Sequence, residues 1–286
     1  MSSLDDRFVL TDGIYERVEA EESAYRRQWE QEAEEDHVVA AIARAAPEDS
    51  FEQLTAKVTP VWERIPPGAR YGTILDVGTG YGRIALHLSA ARGVTCSRFV
   101  AIDISRRMLQ HLRRYAERFE LFPGAELMLV RAPADELPLE NASVDLAISS
   151  AVFLHMERDQ VATTLREIAR VLKPGGDVVF EASFPNKLSP ANLPSVLAGL
   201  RGRRRPNQVS YYSTREVAEL IERSGLLDRI AGYALEAPEH AVLPNAVAGR
   251  GVPLARRLNS FVADRGWGGD GLLGVTFTVT SLEATS

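Results

Sequence analysis

Ile74-Leu75-Asp76-Val77-Gly78-Thr79-Gly80-Tyr81-Gly82 is an apolar run that ends in three closely spaced glycines. The apolar residues suit a strand buried on both faces. Glycine permits the tight turn that follows and lets backbone approach a ligand. Residues 80–91 then carry a helical pattern, so the turn opens onto free N–H groups at a helix start. A strand, a glycine loop and a helix predict a nucleotide- or phosphate-binding corner, although a plain tight turn has the same look.

Working outward, the texture repeats. Further apolar runs at 98–102, 126–130, 144–149 and 177–182 alternate with helical patterns at 105–119 and 158–172. Strand and helix in alternation predict an α/β fold with a parallel sheet covered on both faces. Right-handed crossovers then limit the topology. Residues 275–279, Val-Thr-Phe-Thr-Val, alternate like a final strand.

Two acids narrow the ligand. Asp76 stands on the strand two residues ahead of the first glycine, where it would repel a pyrophosphate and attract an ammonium group. Asp103 closes the next strand, in Val100-Ala101-Ile102-Asp103-Ile104-Ser105, where an acid suits the two hydroxyls of a ribose. A nucleoside bearing an ammonium group and no pyrophosphate describes S-adenosylmethionine better than a nicotinamide dinucleotide. A phosphate loop of the kind that ends in Lys-Ser or Lys-Thr is missing from the sequence.

The stretch resembles the first motif of the class I S-adenosylmethionine-dependent methyltransferases. The resemblance continues through Asp103, through Arg131-Ala132-Pro133-Ala134-Asp135-Glu136-Leu137-Pro138-Leu139, and through Ser143-Val144-Asp145-Leu146-Ala147-Ile148-Ser149. It ends with Leu165-Arg166-Glu167-Ile168-Ala169-Arg170-Val171-Leu172-Lys173-Pro174-Gly175-Gly176. It implies a Rossmann-like, doubly wound sheet of seven strands, mostly parallel, with the last strand antiparallel. It implies S-adenosyl-L-methionine as cofactor and a small-molecule acceptor, with the acceptor atom open. By the same resemblance, Asp76 and the loop of Gly78, Thr79, Gly80 and Tyr81 hold the methionine end. Asp103 holds the ribose, Ile104 and Met108 lie beside the adenine, and Ala134 meets the adenine edge. Ser149 and Ser150 lie near the sulfonium. Many relatives have an acid just before the residue matched by Ala134; here it is Pro133, and Asp135 is the substitute. His155, just after the fourth strand, is the candidate general base, because imidazole titrates near neutrality; packing is the plainer role for it.

The remaining sequence sets boundaries. The expected organisation is an N-terminal helical cap over 1–68, with helices across 14–45 and 50–64, and a catalytic domain over 69–286. That domain carries substrate-side insertions at 184–210 and 238–271, the second with a short helix at 253–264. The net charge of −6 argues against general nucleic-acid binding. Arg201, Arg203, Arg204 and Arg205 form one basic knot, which leaves room for an anionic acceptor. A signal peptide and an apolar run long enough to span a bilayer are both missing from the sequence, so a cytoplasmic setting is expected. Cys96 is the only cysteine and reads as a packing residue. The histidines show no zinc-like spacing. Three other functions fit parts of the pattern: a non-catalytic cofactor-binding subunit, a same-fold enzyme of non-methyl chemistry, and a nicotinamide-dependent oxidoreductase, which Asp76 opposes. Oligomeric state is not legible.

Overall fold

A computed structural model describes residues 8–17, 50–55, 58–200, 210–237 and 275–282. Its centre is a nine-stranded sheet of order β1-β2-β5-β4-β3-β6-β7-β9-β8. The strands are β1 (Phe8–Thr11), β2 (Ile14–Arg17), β3 (Arg70–Val77), β4 (Thr95–Asp103), β5 (Glu126–Arg131), β6 (Val144–Ser150), β7 (Leu172–Pro185), β8 (Ala234–Glu236) and β9 (Thr276–Thr280). The described helices are α1 (Phe51–Thr55), α2 (Arg83–Leu86), α3 (Arg106–Arg118), α4 (Arg158–Val171), α5 (Leu193–Leu200) and α6 (Thr214–Arg223). Neighbours among β3 to β7 run parallel, and β9 is antiparallel to β7 and to β8. The doubly wound seven-stranded sheet expected from the sequence is therefore present, with two strands added at one edge.

Each strand feeds both faces, because successive side chains point opposite ways. Leu75, Val77, Val100 and Val178 join Val161, Leu165 and Ile168 of α4 and Val217 and Ile221 of α6 in one buried cluster. Ile74, Phe99, Leu146 and Val179 join Leu54 of α1, Ile84 of α2, and Leu109 and Leu112 of α3 in the other. Three layers result, helices on either side of the sheet. Helix α6 begins at a capping box, in which Ser213 and Glu216 satisfy each other's backbone N–H groups.

The chain runs outward from β3 through β4 to β5, then crosses back to start β6 on the other side of β3. Two loops thus diverge at the carboxyl ends of β3 and β6. Open α/β sheets bind ligands at such a switch point.

The N-terminal segment departs from expectation. Residues 14–17 are a strand and not the start of a helix. Thr11-Asp12-Gly13-Ile14 makes a two-residue hairpin turn, with positive φ at Asp12 (47°) and Gly13 (74°). Asp-Gly favours this turn because both central positions need left-handed backbone. β2 then pairs parallel with β5 through Tyr15 and Val130. Arg106 of α3 holds the hairpin through Glu16 (2.9 Å) and Asp12 (2.8 Å). The helix expected across 50–64 is divided into α1 and a 3-10 turn at Pro60–Arg64, because Pro60 starts a new element. The helices expected across 18–45, the basic knot at 201–205, the insertion at 238–271 and its helix at 253–264 lie outside the described residues. Of the 184–210 segment, β7 takes the first two residues, and α5 lies beyond the point where Asn186 pairs with Tyr212.

Candidate functional site

The glycine loop leaves the end of β3 under covalent and steric constraint. Gly78 has φ of +69°, and a side chain there would run into Val152. Gly80 has φ of +55°, and an added Cβ would meet no protein atom within 4 Å. The first glycine is thus required by packing. The second is required by its backbone, and it borders open space.

That space is a cavity of about 390 Å³ at the switch point. Small-molecule sites run from roughly 300 to 1,000 Å³. Its walls include Asp76, Gly78, Thr79, Gly80 and Tyr81 from the loop, and Asp103, Ile104 and Met108 from the β4–α3 corner. Ala134, Ser150 and His155 complete the predicted set on the wall.

Asp103 holds the loop and faces the cavity together. Its Oδ2 accepts from the Gly80 N–H at 2.9 Å and its Oδ1 from the Ser105 N–H at 2.8 Å. The Ser105 hydroxyl caps α3 by accepting from the Met108 N–H at 3.3 Å, which sets Met108 on the wall. The same carboxylate thus ties the glycine loop to the β4–α3 corner.

Asp76 is 2% exposed. Burial pushes its carboxyl up to about 7, against the Thr79 hydroxyl that donates to Oδ2 at 2.7 Å; nearby Asp103 raises it further and Arg83 opposes. A buried acid poised near neutrality is a common mark of a functional site. An ammonium group beside it would restore the ionised form.

Tyr81 is tied to the N-terminal region. Its hydroxyl donates to the Leu54 carbonyl at 2.9 Å, and its ring meets Tyr115 edge-on. Ala151, next to Ser150, has φ of +58°, a strained value for a residue with a side chain. Its N–H donates to the Glu181 carbonyl at 2.9 Å, which holds the turn.

Two predicted residues are not on the cavity wall. Ser149 is fully buried, and its hydroxyl donates to the Val77 carbonyl at 3.0 Å, so it links β6 to β3. Alternation along the strand explains this, since Ser150 points to the opposite face. Asp135 sits in the turn after Ala134, and only Ala134 reaches the wall. Cys96 behaves as expected of a packing residue: burial pushes its thiol up to about 12.

Sequence reasoning missed Arg83, Val152, Met156 and Gln160, all on the wall, and Glu181 behind it. Only Arg83 left a signal. A cation at the first position of a helix conflicts with the helix dipole, and such local conflicts collect at functional sites.

Residues 74–176 match the family described as "Methyltransferase domain". The chain is 39% identical over 116 residues to a malonyl-[acyl-carrier protein] O-methyltransferase of Methylococcus capsulatus, covering 40% of this chain and 38% of that protein. It is 37% identical over 116 residues to the ubiquinone/menaquinone biosynthesis C-methyltransferase UbiE of Syntrophotalea carbinolica, covering 40% of this chain and 45% of that one. The chain thus spans less than half the length of these relatives. In fold it is similar to a chain solved in the complex between the Haloferax volcanii Trm112 methyltransferase activator and a methyltransferase. That likeness has a TM-score of 0.58 at 22% identity and covers 93% of this chain and 100% of the other.

Proposed function

Because the chain carries a class I S-adenosylmethionine-dependent methyltransferase domain over residues 74–176, we propose that the whole protein transfers a methyl group from S-adenosyl-L-methionine to a small-molecule acceptor. The observation that carries the reading is the pair Asp76 and Asp103, on adjacent strand ends, facing one cavity across the glycine loop. One acid answers an ammonium group and the other a ribose, and Asp76 at the loop would repel a pyrophosphate.

The cofactor supplies a methyl group already activated on a positive sulfur. The protein's own task is to bind, align and exclude water. Asp103 and the loop backbone orient the nucleoside, with Ile104, Met108 and Ala134 as its apolar walls. Asp76 fixes the amino-acid end. Ser150, Ala151 and Val152 form the wall from which the acceptor approaches. His155 takes the acceptor's proton where the acceptor must lose one. An acceptor with a free lone pair needs no base.

A small acceptor is the reading because the cavity is about 390 Å³ and its lining is more apolar than polar. The two relatives are named for different transfers, an O-methyltransferase of malonyl-[acyl-carrier protein] and a C-methyltransferase of ubiquinone/menaquinone biosynthesis. Of the N-terminal region, where β1 and β2 belong to the sheet, residues 50–68 are read as a cap over the cofactor side. Tyr81 bonded to Leu54, and Thr59 bonded to Glu181, support that reading.

Calorimetry with S-adenosylhomocysteine and with NADH tests the donor. S-adenosylhomocysteine should bind and NADH should not. Asp103→Ala should weaken S-adenosylhomocysteine by roughly tenfold or more, as for a lost hydrogen-bonding charge. Binding of NADH, or unchanged affinity in the variant, would overturn the assignment. Transfer of labelled methyl to an acceptor distinguishes the enzyme from a non-catalytic binding subunit.

A further inference from the structure

We propose that the exposed leucine face formed by α5 and the turn before it seats this protein on an anionic membrane surface. The face lies on the bilayer and does not span it. The inference stands apart from the cofactor reading.

The apolar part is held in place and open to solvent. Leu193 and Leu197 are 48% and 43% exposed, and Leu188 in the preceding turn is 55% exposed. Leu193 and Leu197 stand four residues apart, so they share one side of α5. A surface helix in water turns charged or polar groups outward. α5 has no charged residue, and its outward side chains include these leucines. Its start is pinned to the sheet. The Asn192 side-chain amide donates to the Asn186 carbonyl at 2.9 Å and to the Val275 carbonyl at 2.8 Å.

Charge identifies the occupant. The chain has a net charge of −6, yet residues 182–215 contain no Asp or Glu. The same stretch holds Lys187, Arg201, Arg203, Arg204, Arg205 and Arg215. Lys187 (2.6 Å) and Arg158 (3.2 Å) share Glu216, two cations against one acid, and Lys187 adjoins Leu188 in the chain. The arginines of 201–205 begin at the residue after Leu200, so covalent reach alone keeps them within roughly 18 Å of the end of α5. Lys and Arg beside exposed leucine is the pairing that binds a bilayer interface. Charge of one sign suits a continuous anionic surface. A protein partner is met more often by aromatic or methionine anchors, and residues 185–210 contain neither.

The face stands at the working edge of the sheet. β7 runs parallel to β6, so its end at Pro185 reaches the edge that carries the cavity. Four residues back on that strand, Glu181 accepts from the Ser150 hydroxyl on the cavity wall. Docking through α5 brings that edge to the lipid headgroups.

Flotation of the full chain with vesicles tests the proposal. The protein should bind vesicles of phosphatidylcholine with phosphatidylglycerol and leave vesicles of phosphatidylcholine alone. Added salt should release it. Leu193→Ser with Leu197→Ser should weaken binding by roughly tenfold or more. That variant should keep the parent melting temperature, because both side chains are already exposed. Arg203→Ser with Arg204→Ser should also weaken binding, by about fivefold per cation. Should the leucine variant lose its fold, the arginine pair and the salt dependence carry the same test. No binding to the anionic vesicles, or binding that survives both pairs of substitutions, would overturn the proposal. So would self-association in sedimentation that the leucine variant abolishes, with no vesicle bound, since the face would then belong to a second copy.

Discussion

Asp76 carries opposite obligations in the folded chain and in the working site. Without a ligand ammonium group beside it, its carboxyl is held up near 7 by burial, with Arg83 only partly opposing. The folded state therefore keeps the proton to higher pH than the unfolded chain does. Stability contributed by the protonated acid is present at low pH and is lost as pH rises from about 4 to about 7. Above pH 7 the ionised acid costs the cofactor-free protein on the order of 4 kcal/mol. Asp76→Asn removes that charge and keeps an acceptor for Thr79. It should raise the melting temperature at pH 8 more than at pH 5, while cofactor affinity collapses. Melting curves at the two values check it, and an equal gain at both would contradict the assignment. Gly78 and Ser149 show the same division at this scale. Their types were legible as loop and strand-end residues, but the contacts with Val152 and with the Val77 carbonyl came from packing.

At the scale of elements, the hairpin β1–β2 changes how the N-terminal region is to be tested. Removing residues 1–45 would take away two strands of the sheet along with any cap. Removing residues 1–17 isolates the hairpin. It bares the edge of β5 and deprives Arg106 of Glu16 and Asp12. Loss of that edge should lower stability by on the order of 1–3 kcal/mol, or several degrees of melting temperature for a chain of this size. Binding of S-adenosylhomocysteine should persist, because Asp76, Asp103 and the loop remain. A truncated chain that melts unchanged would show the hairpin to be an ornament. The signal for the hairpin was present as Asp12-Gly13 between apolar residues. It was outweighed by the Glu- and Ala-rich composition of the residues that follow, whose helical propensity spread over the whole segment. The break at Pro60 was likewise visible, since proline starts an element more readily than it continues one.

For the whole molecule, binding and protonation are one equilibrium. An ammonium group placed against Asp76 favours its ionised form, so binding should release a proton wherever the cofactor-free acid is protonated. Affinity for S-adenosylhomocysteine should then fall as pH drops below about 7, by up to roughly tenfold per pH unit. Calorimetry in two buffers of different ionisation enthalpy measures the proton directly. Affinity that is flat from pH 5.5 to 8 would remove Asp76 as the ammonium partner. No described helix is long and apolar enough to cross a membrane.

The sequence by itself determined the order of strands and helices from β3 to β7, the glycine loop and the two acids beside it. Those features are local: alternation, glycine backbone freedom and a charge at a strand end are written in consecutive residues. Only the tertiary structure decided which side chains share the cavity. Residues 76, 83, 103, 150 and 155 meet because parallel strands bring their carboxyl ends to one edge at the point where the winding reverses. Glu181 joins them from a strand that pairs with β6, with no sequence pattern linking it to Arg83 or Thr59. Burial of Asp76, and with it the raised carboxyl, is a property of the assembled layers, because desolvation depends on every element packed above the residue.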